Sequence, residues 1–209
     1  MAKTGAILAE AGASGGPVRW LKEKHYAHSF PGRGARAQKK FYRFYSYADL
    51  RALFDRLHEI LLHKGSLGAF FRERLQAERE AAQTAGKDVP LPAEVLARCF
   101  PGCALVPQGK NTANKRLNLF LRWMVRRGSP VDAGLWDWIS PAELVIPLDT
   151  HVLQEAARLG LLPPGSPGNR KTACLLTGVF RQIWPQDPCR GDFALFGLGT
   201  DSADTEDTP

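Results

Sequence analysis

Nearly throughout the chain the apolar side chains return every three or four positions, and no convincing two-residue alternation takes over anywhere. The longer period places side chains along one face of an α-helix, whereas a half-buried strand needs the shorter one. The runs are also punctuated as helices are. In "SYADLRALFDRLHEILLHKG", Ser46 and Asp49 stand at capping-box spacing. Leu50, Leu53, Phe54, Leu57, Ile60 and Leu61 then supply the stripe, and Gly65 ends it. "SLGAFFRERLQAEREAAQTAG" reads as a second helix stopped at Gly86, "KDVPLP" as a linker, and "PAEVLARCF" as a short helix entered through Pro92.

"NTANKRLNLFLRWMVRRG" carries Leu117, Phe120, Leu121 and Met124 at helical spacing. Ser129-Pro130-x-Asp132 and Ser140-Pro141-x-Glu143 then punctuate two short pieces, the first of them "AGLWDWI". Asp149 opens a helix that Gly160 closes, "PPGSPG" is a turn, and "RKTACLLTGVFRQIW" is another helix. "DFALFGLG" closes the chain with an apolar run that packs on the body. The expectation is an all-α, multi-helix protein of roughly eight to ten helices. Its body spans residues 39–200, between a poorly specified Gly/Ala-rich segment at 1–38 and an acidic, disordered tail at 201–209. The first segment lacks a signal-peptide core. No apolar run reaches the roughly 18–20 residues that a bilayer requires. No membrane association is therefore expected, and a monomer at work in the cytoplasm is.

The formal charge of +7 favours a polyanionic partner. It is unevenly spread, with "RGARAQKKFYRFY" and the 109–127 stretch strongly basic. In "KKFYRFYSY", Lys39, Lys40 and Arg43 alternate with aromatic rings, a mixture that suits phosphates and bases but equally suits packing. Cys99 and Cys103 lack a second close pair to complete a metal site. Cys174 and Cys189 stand apart, and the five histidines form no ligand grouping. Reduced structural thiols and no metal are expected. Gly197-Leu-Gly199 lacks the third glycine and the βαβ setting of a phosphate loop.

Two residues carry the question of chemistry. Asp149 precedes a helix, where its oxygen caps orphan N–H groups. The same position keeps a carboxylate ionised, able to stabilise a cation or accept a proton. Lys115 stands at the start of the basic helix, on a predicted stripe with Arg122 and Arg126 opposite the apolar one. Leu119, Trp123 and Val125 make the remaining circumference apolar, so the helix is expected to be enclosed and Lys115 to line a cleft. A lysine so placed can lose its proton and attack a sugar carbon, forming a Schiff base.

"IPLDTHVLQEAARLGL" resembles the segment of the helix-hairpin-helix DNA glycosylase superfamily, endonuclease III included, that holds a catalytic aspartate, and Asp149 occupies the matching position. With "NKRLNLFLRWMVRR", "VDAGLW" and "DFALFGLG" in order, residues 40–200 look like a bacterial conserved-hypothetical family distantly similar to archaeal-type 8-oxoguanine DNA glycosylase.

The resemblance implies a glycosylase-like fold with a cleft between two helical lobes. It also implies an activity, excision of a damaged base from duplex DNA through a lysine Schiff base, with possible AP lyase action. Endonuclease III places its lysine in the hairpin shortly before the aspartate, but residues 128–148 here contain none. The archaeal branch places it further upstream, at a helix start. Lys115 looks like that residue, with Lys110 the alternative. Lys110, Arg116, Arg122, Arg126, Lys39, Lys40 and Arg43 would be the DNA contacts. The cluster-binding cysteines of endonuclease III are absent, so no iron–sulfur cofactor is implied. The family's additional N-terminal helices, which help wall the base pocket, are not expected in this chain. A non-catalytic nucleic-acid-binding protein that keeps the fold is the competing expectation, and a protein-interaction surface a third.

Overall fold

The structure, a computed structural model, describes residues 2–109 and 111–203. Among these, ten α-helices and one two-stranded sheet follow in the order α1 (Ala2–Ala13), α2 (Pro17–Lys22), α3 (Tyr26–Ser29), β1 (Lys40–Tyr42), β2 (Tyr45–Ser46), α4 (Tyr47–Lys64), α5 (Leu67–Thr84), α6 (Pro92–Arg98), α7 (Lys115–Val125), α8 (Thr150–Arg158), α9 (Arg170–Ile183) and α10 (Arg190–Ala203). The protein is mostly helical. None of the described helices is long and apolar enough to cross a membrane. The chain divides into two compact units, Met1–Glu80 with Arg98–Val106, and Ala81–Ala97 with Pro107–Pro209.

The first unit is organised by its aromatic residues. Trp20, Tyr26 and Phe30, all buried, gather with Ala11 and Leu50, and Phe54, Phe41 and Tyr47 pack against them. Ring centroids lie 5.0 Å apart for Trp20 and Phe54 and 5.1 Å for Phe30 and Phe54, both edge-on. Each such pair adds roughly 0.5–1.5 kcal/mol beyond the area it buries. The polar ends of the cluster are satisfied. The Tyr26 hydroxyl donates to Asp55 at 2.7 Å, while Glu10 accepts from the Trp20 indole at 3.1 Å and from Ser29 at 2.7 Å.

Residues 1–38 are therefore not a poorly specified leader: α1–α3 lie within them and supply the centre of this core. The period-three signal is weak there because α2 and α3 have six and four residues, too few for a stripe to declare itself. The sequence also hides a β-hairpin, since two strands of three and two residues show no alternation. By contrast α4 begins at the expected capping box, with the Ser46 hydroxyl accepting from the Asp49 N–H and the Asp49 carboxylate accepting from the Ser46 N–H.

The second unit buries Leu117, Leu121 and Val125 of α7, Val152 and Ala156 of α8, Leu176 and Phe180 of α9 and Leu195 of α10, together with the connecting run Leu144–Ile146 and Leu148. α8 packs against α10. Asn169 caps α9 by accepting from the Thr172 N–H, and Thr177 donates its hydroxyl to Ala173 while accepting the buried Ile146 N–H.

The two punctuated pieces between α7 and α8 are not α-helices. "AGLWDWI" is not helical: the Ala133 and Gly134 N–H groups donate to the Trp123 carbonyl and the Trp136 N–H to that of Met124, so the segment folds back on the end of α7 and satisfies its orphan carbonyls. The Ser140 capping box opens only a 3₁₀ turn, Pro141–Glu143. At the other end α10 runs to Ala203, so residues 201–203 of the expected tail are helical, and 204–209 lie outside the described residues.

Candidate active site

Asp149 is the N-cap of α8, and each of its oxygens has a task. Oδ1 accepts the Val152 N–H at 2.8 Å, and Oδ2 lies 2.7 Å from the Lys115 Nζ. The cap fixes the carboxylate by a local hydrogen bond, which leaves the second oxygen aimed at the lysine. Lys115 is the first residue of α7, preceded by Asn114 in the left-handed conformation (φ 49°) and itself about half exposed. A cation that opens a helix runs against the macrodipole, and the Asp149 carboxylate answers it. Burial on its own would raise the Asp149 pKa. The Lys115 ammonium and the Val152 N–H outweigh it and hold the carboxyl below its ordinary value.

The pair stands at a cavity of about 300 Å³. Leu119, Val131, Pro147 and Val152 give it apolar walls, and Arg122, Asp192 and Phe193 complete the lining. All of these residues belong to the second unit. A small, mostly apolar hollow with a few convergent polar groups is what a recognition site for a small ring requires.

The two carboxylates in this cavity are pushed in opposite directions. Burial raises the Asp192 carboxyl above its ordinary value, Arg122 pulls it back, and the nearby Asp149 charge pushes it up again. Environments that drive two acids apart let one stay ionised while the other holds a proton more readily.

The expected basic face of α7 does not exist. Arg122 and Arg126 are each 7% exposed and bonded to carboxylates, so they cannot serve as the phosphate contacts expected of them. Arg122 bonds Asp192 and faces Asp132. Arg126 donates to Asp132 at 2.7 Å and to Asp187 at 2.9 Å. Phe193 stacks over this pair, its ring centroid 4.5 Å from the Arg122 guanidinium carbon and 5.3 Å from that of Arg126. The helix has turned so that Asn118 and Arg122 join Leu117 and Leu121 inside, while Arg116 and Trp123 face outward. Lys39, Lys40 and Arg43 are exposed on the hairpin of the first unit. Lys110 lies outside the described residues.

A family model matches residues 6–201, nearly the whole chain. The chain belongs to the family described as a protein of unknown function (DUF2400). No curated protein and no solved structure matches it. The DUF2400 match spans both units, the Lys115–Asp149 pair and every residue that lines the cavity.

Asp192 and Phe193, in the first turn of α10 of this DUF2400 chain, are the polar and aromatic cavity residues that sequence reasoning missed. An aspartate opening the otherwise apolar run "DFALFGLG" is the signal that was there to find, since a buried helix rarely spends a charge without a partner. No disulfide joins the four cysteines, and burial lifts the Cys99 thiol to about 11. Among the described residues no group of three or more His, Cys, Asp or Glu is arranged to hold a metal.

Proposed function

We propose that this protein is a DNA glycosylase with AP lyase activity, of the helix-hairpin-helix type, that excises a damaged base from duplex DNA through a Schiff base on Lys115. The observation that carries the reading is the Lys115–Asp149 pair, 2.7 Å apart at the mouth of a mostly apolar cavity. An extruded nucleotide places its base in such a hollow and its sugar at the rim, where the amine stands. The net positive charge supports a polyanionic partner.

At rest the pair is an ammonium facing a carboxylate. For reaction Lys115 gives up a proton to solvent, and its lone pair attacks C1′ as the glycosidic bond breaks. The base leaves with the bonding electrons and takes up a proton. Asp149, ionised because its pKa is depressed, stabilises the positive charge that develops on the sugar. Loss of a proton from the attached nitrogen and opening of the sugar ring, with the ring oxygen protonated, leave the imine. Loss of a C2′ proton from that imine, with expulsion of the 3′ phosphate and formation of a C2′–C3′ double bond, gives the lyase product. An oxidised purine is the substrate that the resemblance suggests.

Borohydride trapping tests this on duplexes that carry 8-oxoguanine or an abasic site. Hydride reduces the imine to a stable amine, so the wild-type protein is expected to become covalently linked to DNA and the Lys115→Gln variant not to. No adduct on either duplex, with DNA binding intact, replaces the reading with a non-catalytic nucleic-acid-binding protein. In that case the ion pair is only a structural partner of the α8 cap.

A further inference from the structure

We propose that the tip of the β1–β2 hairpin is a separate nucleic-acid contact, in which Phe44 stacks on an unpaired base while the surrounding cations hold the neighbouring phosphates. Three observations support this. Phe44 is 82% exposed, the most of any large apolar side chain among the described residues, and Tyr42 beside it is 59% exposed. This is not a loose segment. Phe41 and Tyr47 of the same stretch are turned inward, with centroids 5.6 Å and 5.8 Å from that of the buried Phe30. The Tyr47 N–H donates to the Lys39 carbonyl at 3.1 Å, and the Lys40 ammonium grips the Phe44 carbonyl at 2.8 Å.

The second observation is backbone strain. Pairing of Tyr42 with Tyr45 leaves Arg43 and Phe44 as a two-residue loop, and Arg43 sits at φ 48°. Glycine or asparagine takes such a position at no cost, so an arginine held there is a strained residue kept at a tip. The third is charge. From Lys24 to Ala48 the chain has no acidic residue and six Lys or Arg, of which Arg33, Arg36, Lys39, Lys40 and Arg43 are all exposed. An exposed ring with the Lys40 ammonium and Arg43 beside it is complementary to a strand that offers a base face between phosphates. The choice of nucleic acid among polyanions rests on the function proposed above.

Binding of the full chain by fluorescence anisotropy tests the proposal on a fully paired duplex, the same duplex with one extra unpaired base, and a single strand. Phe44→Ala is expected to weaken binding to the unpaired-base duplex and the single strand by roughly 10-fold, with the fully paired duplex changed by less than about 2-fold. Lys39→Gln with Lys40→Gln is expected to weaken all three about equally and to lower the salt slope by about 2. Thermal melts confirm folding, since substitution of so exposed a side chain leaves stability nearly unchanged.

The proposal is overturned if Phe44→Ala binds all three DNAs as the wild type does. It is also overturned if that variant instead loses affinity only for anionic phospholipid vesicles, which would make the tip a lipid anchor. This outcome is independent of imine trapping. A Phe44-dependent preference without any trapped adduct keeps the hairpin site and rejects the glycosylase. Trapping without that preference does the reverse.

Discussion

Replacing Asp149 by asparagine leaves the helix cap in place and removes the charge. Asparagine caps as well as aspartate does, so the 2.8 Å bond from the Val152 N–H survives. What disappears is the ion pair to Lys115 and the carboxylate's interaction with the α8 dipole. Lys115 is 47% exposed and Asp149 24%, so water screens the pair. The pair is then worth about 0–1 kcal/mol and the dipole about 0.3–1 kcal/mol. Asp149→Asn should therefore cost about 1 kcal/mol, and Asp149→Ala, which also loses the cap, about 1 kcal/mol more.

Urea denaturation followed by circular dichroism reads both variants. The pH dependence has a definite sign. A depressed carboxyl pKa gives stability that is fully present above the ordinary value of 3.8 and is lost as the pH falls below it towards the folded value. The gap between wild type and the asparagine variant should close through that window.

Trapping on the 8-oxoguanine duplex should vanish in both variants while stability falls in two distinct steps. Equal stability losses for the two variants, with trapping intact, would make Asp149 a structural residue and refute the reasoning. A loss well above 2 kcal/mol for Asp149→Asn would show that screening had been misjudged.

Arg122→Met should cost about 3–5 kcal/mol, because it leaves Asp192 and Asp132 facing too few cations in a buried site. Adding Asp192→Asn should recover part of it, with a coupling above about 1 kcal/mol in a double-mutant cycle; additive losses would deny the network. Gly191→Ala should destabilise by about 1–3 kcal/mol, since a Cβ there falls 2.5 Å from ring carbons of Phe180. Phe180→Leu in that background should restore some of the loss in a thermal melt, and an unchanged melting temperature for Gly191→Ala would mean α9 and α10 are not packed as described.

What could be read from the sequence was what is decided within one turn of chain. The capping boxes at Ser46 and Ser140, the Asp149 cap and the bounds of α4 and α5 all rest on residues three or four apart. Lys115 and Asp149 stand 34 residues apart, and no spacing rule brings them together; only the resemblance paired them. The arginines of α7 were misread for the same reason. A helical wheel knows the inside only by its apolar residues, and the carboxylates that turn Arg122 and Arg126 inward come from 70 and 61 residues further on, with Asp132 from the refolded segment after the helix. The aromatic core of the first unit was hidden by helices too short to show a period.

The burial of those arginines relocates the argument from charge. Arg122 and Arg126 with Asp132, Asp187 and Asp192 carry a net charge of −1, so the rest of a chain of net +7 carries a net charge of +8. The polyanion that such a surplus favours cannot be bound by the α7 face, which is internal and neutralised. It falls to cations that remain outside, among them Lys39, Lys40 and Arg43 beside Phe44. The sugar chemistry proposed at Lys115 and the grip on the strand are thus assigned to different residues, in different units, and each can be removed without the other.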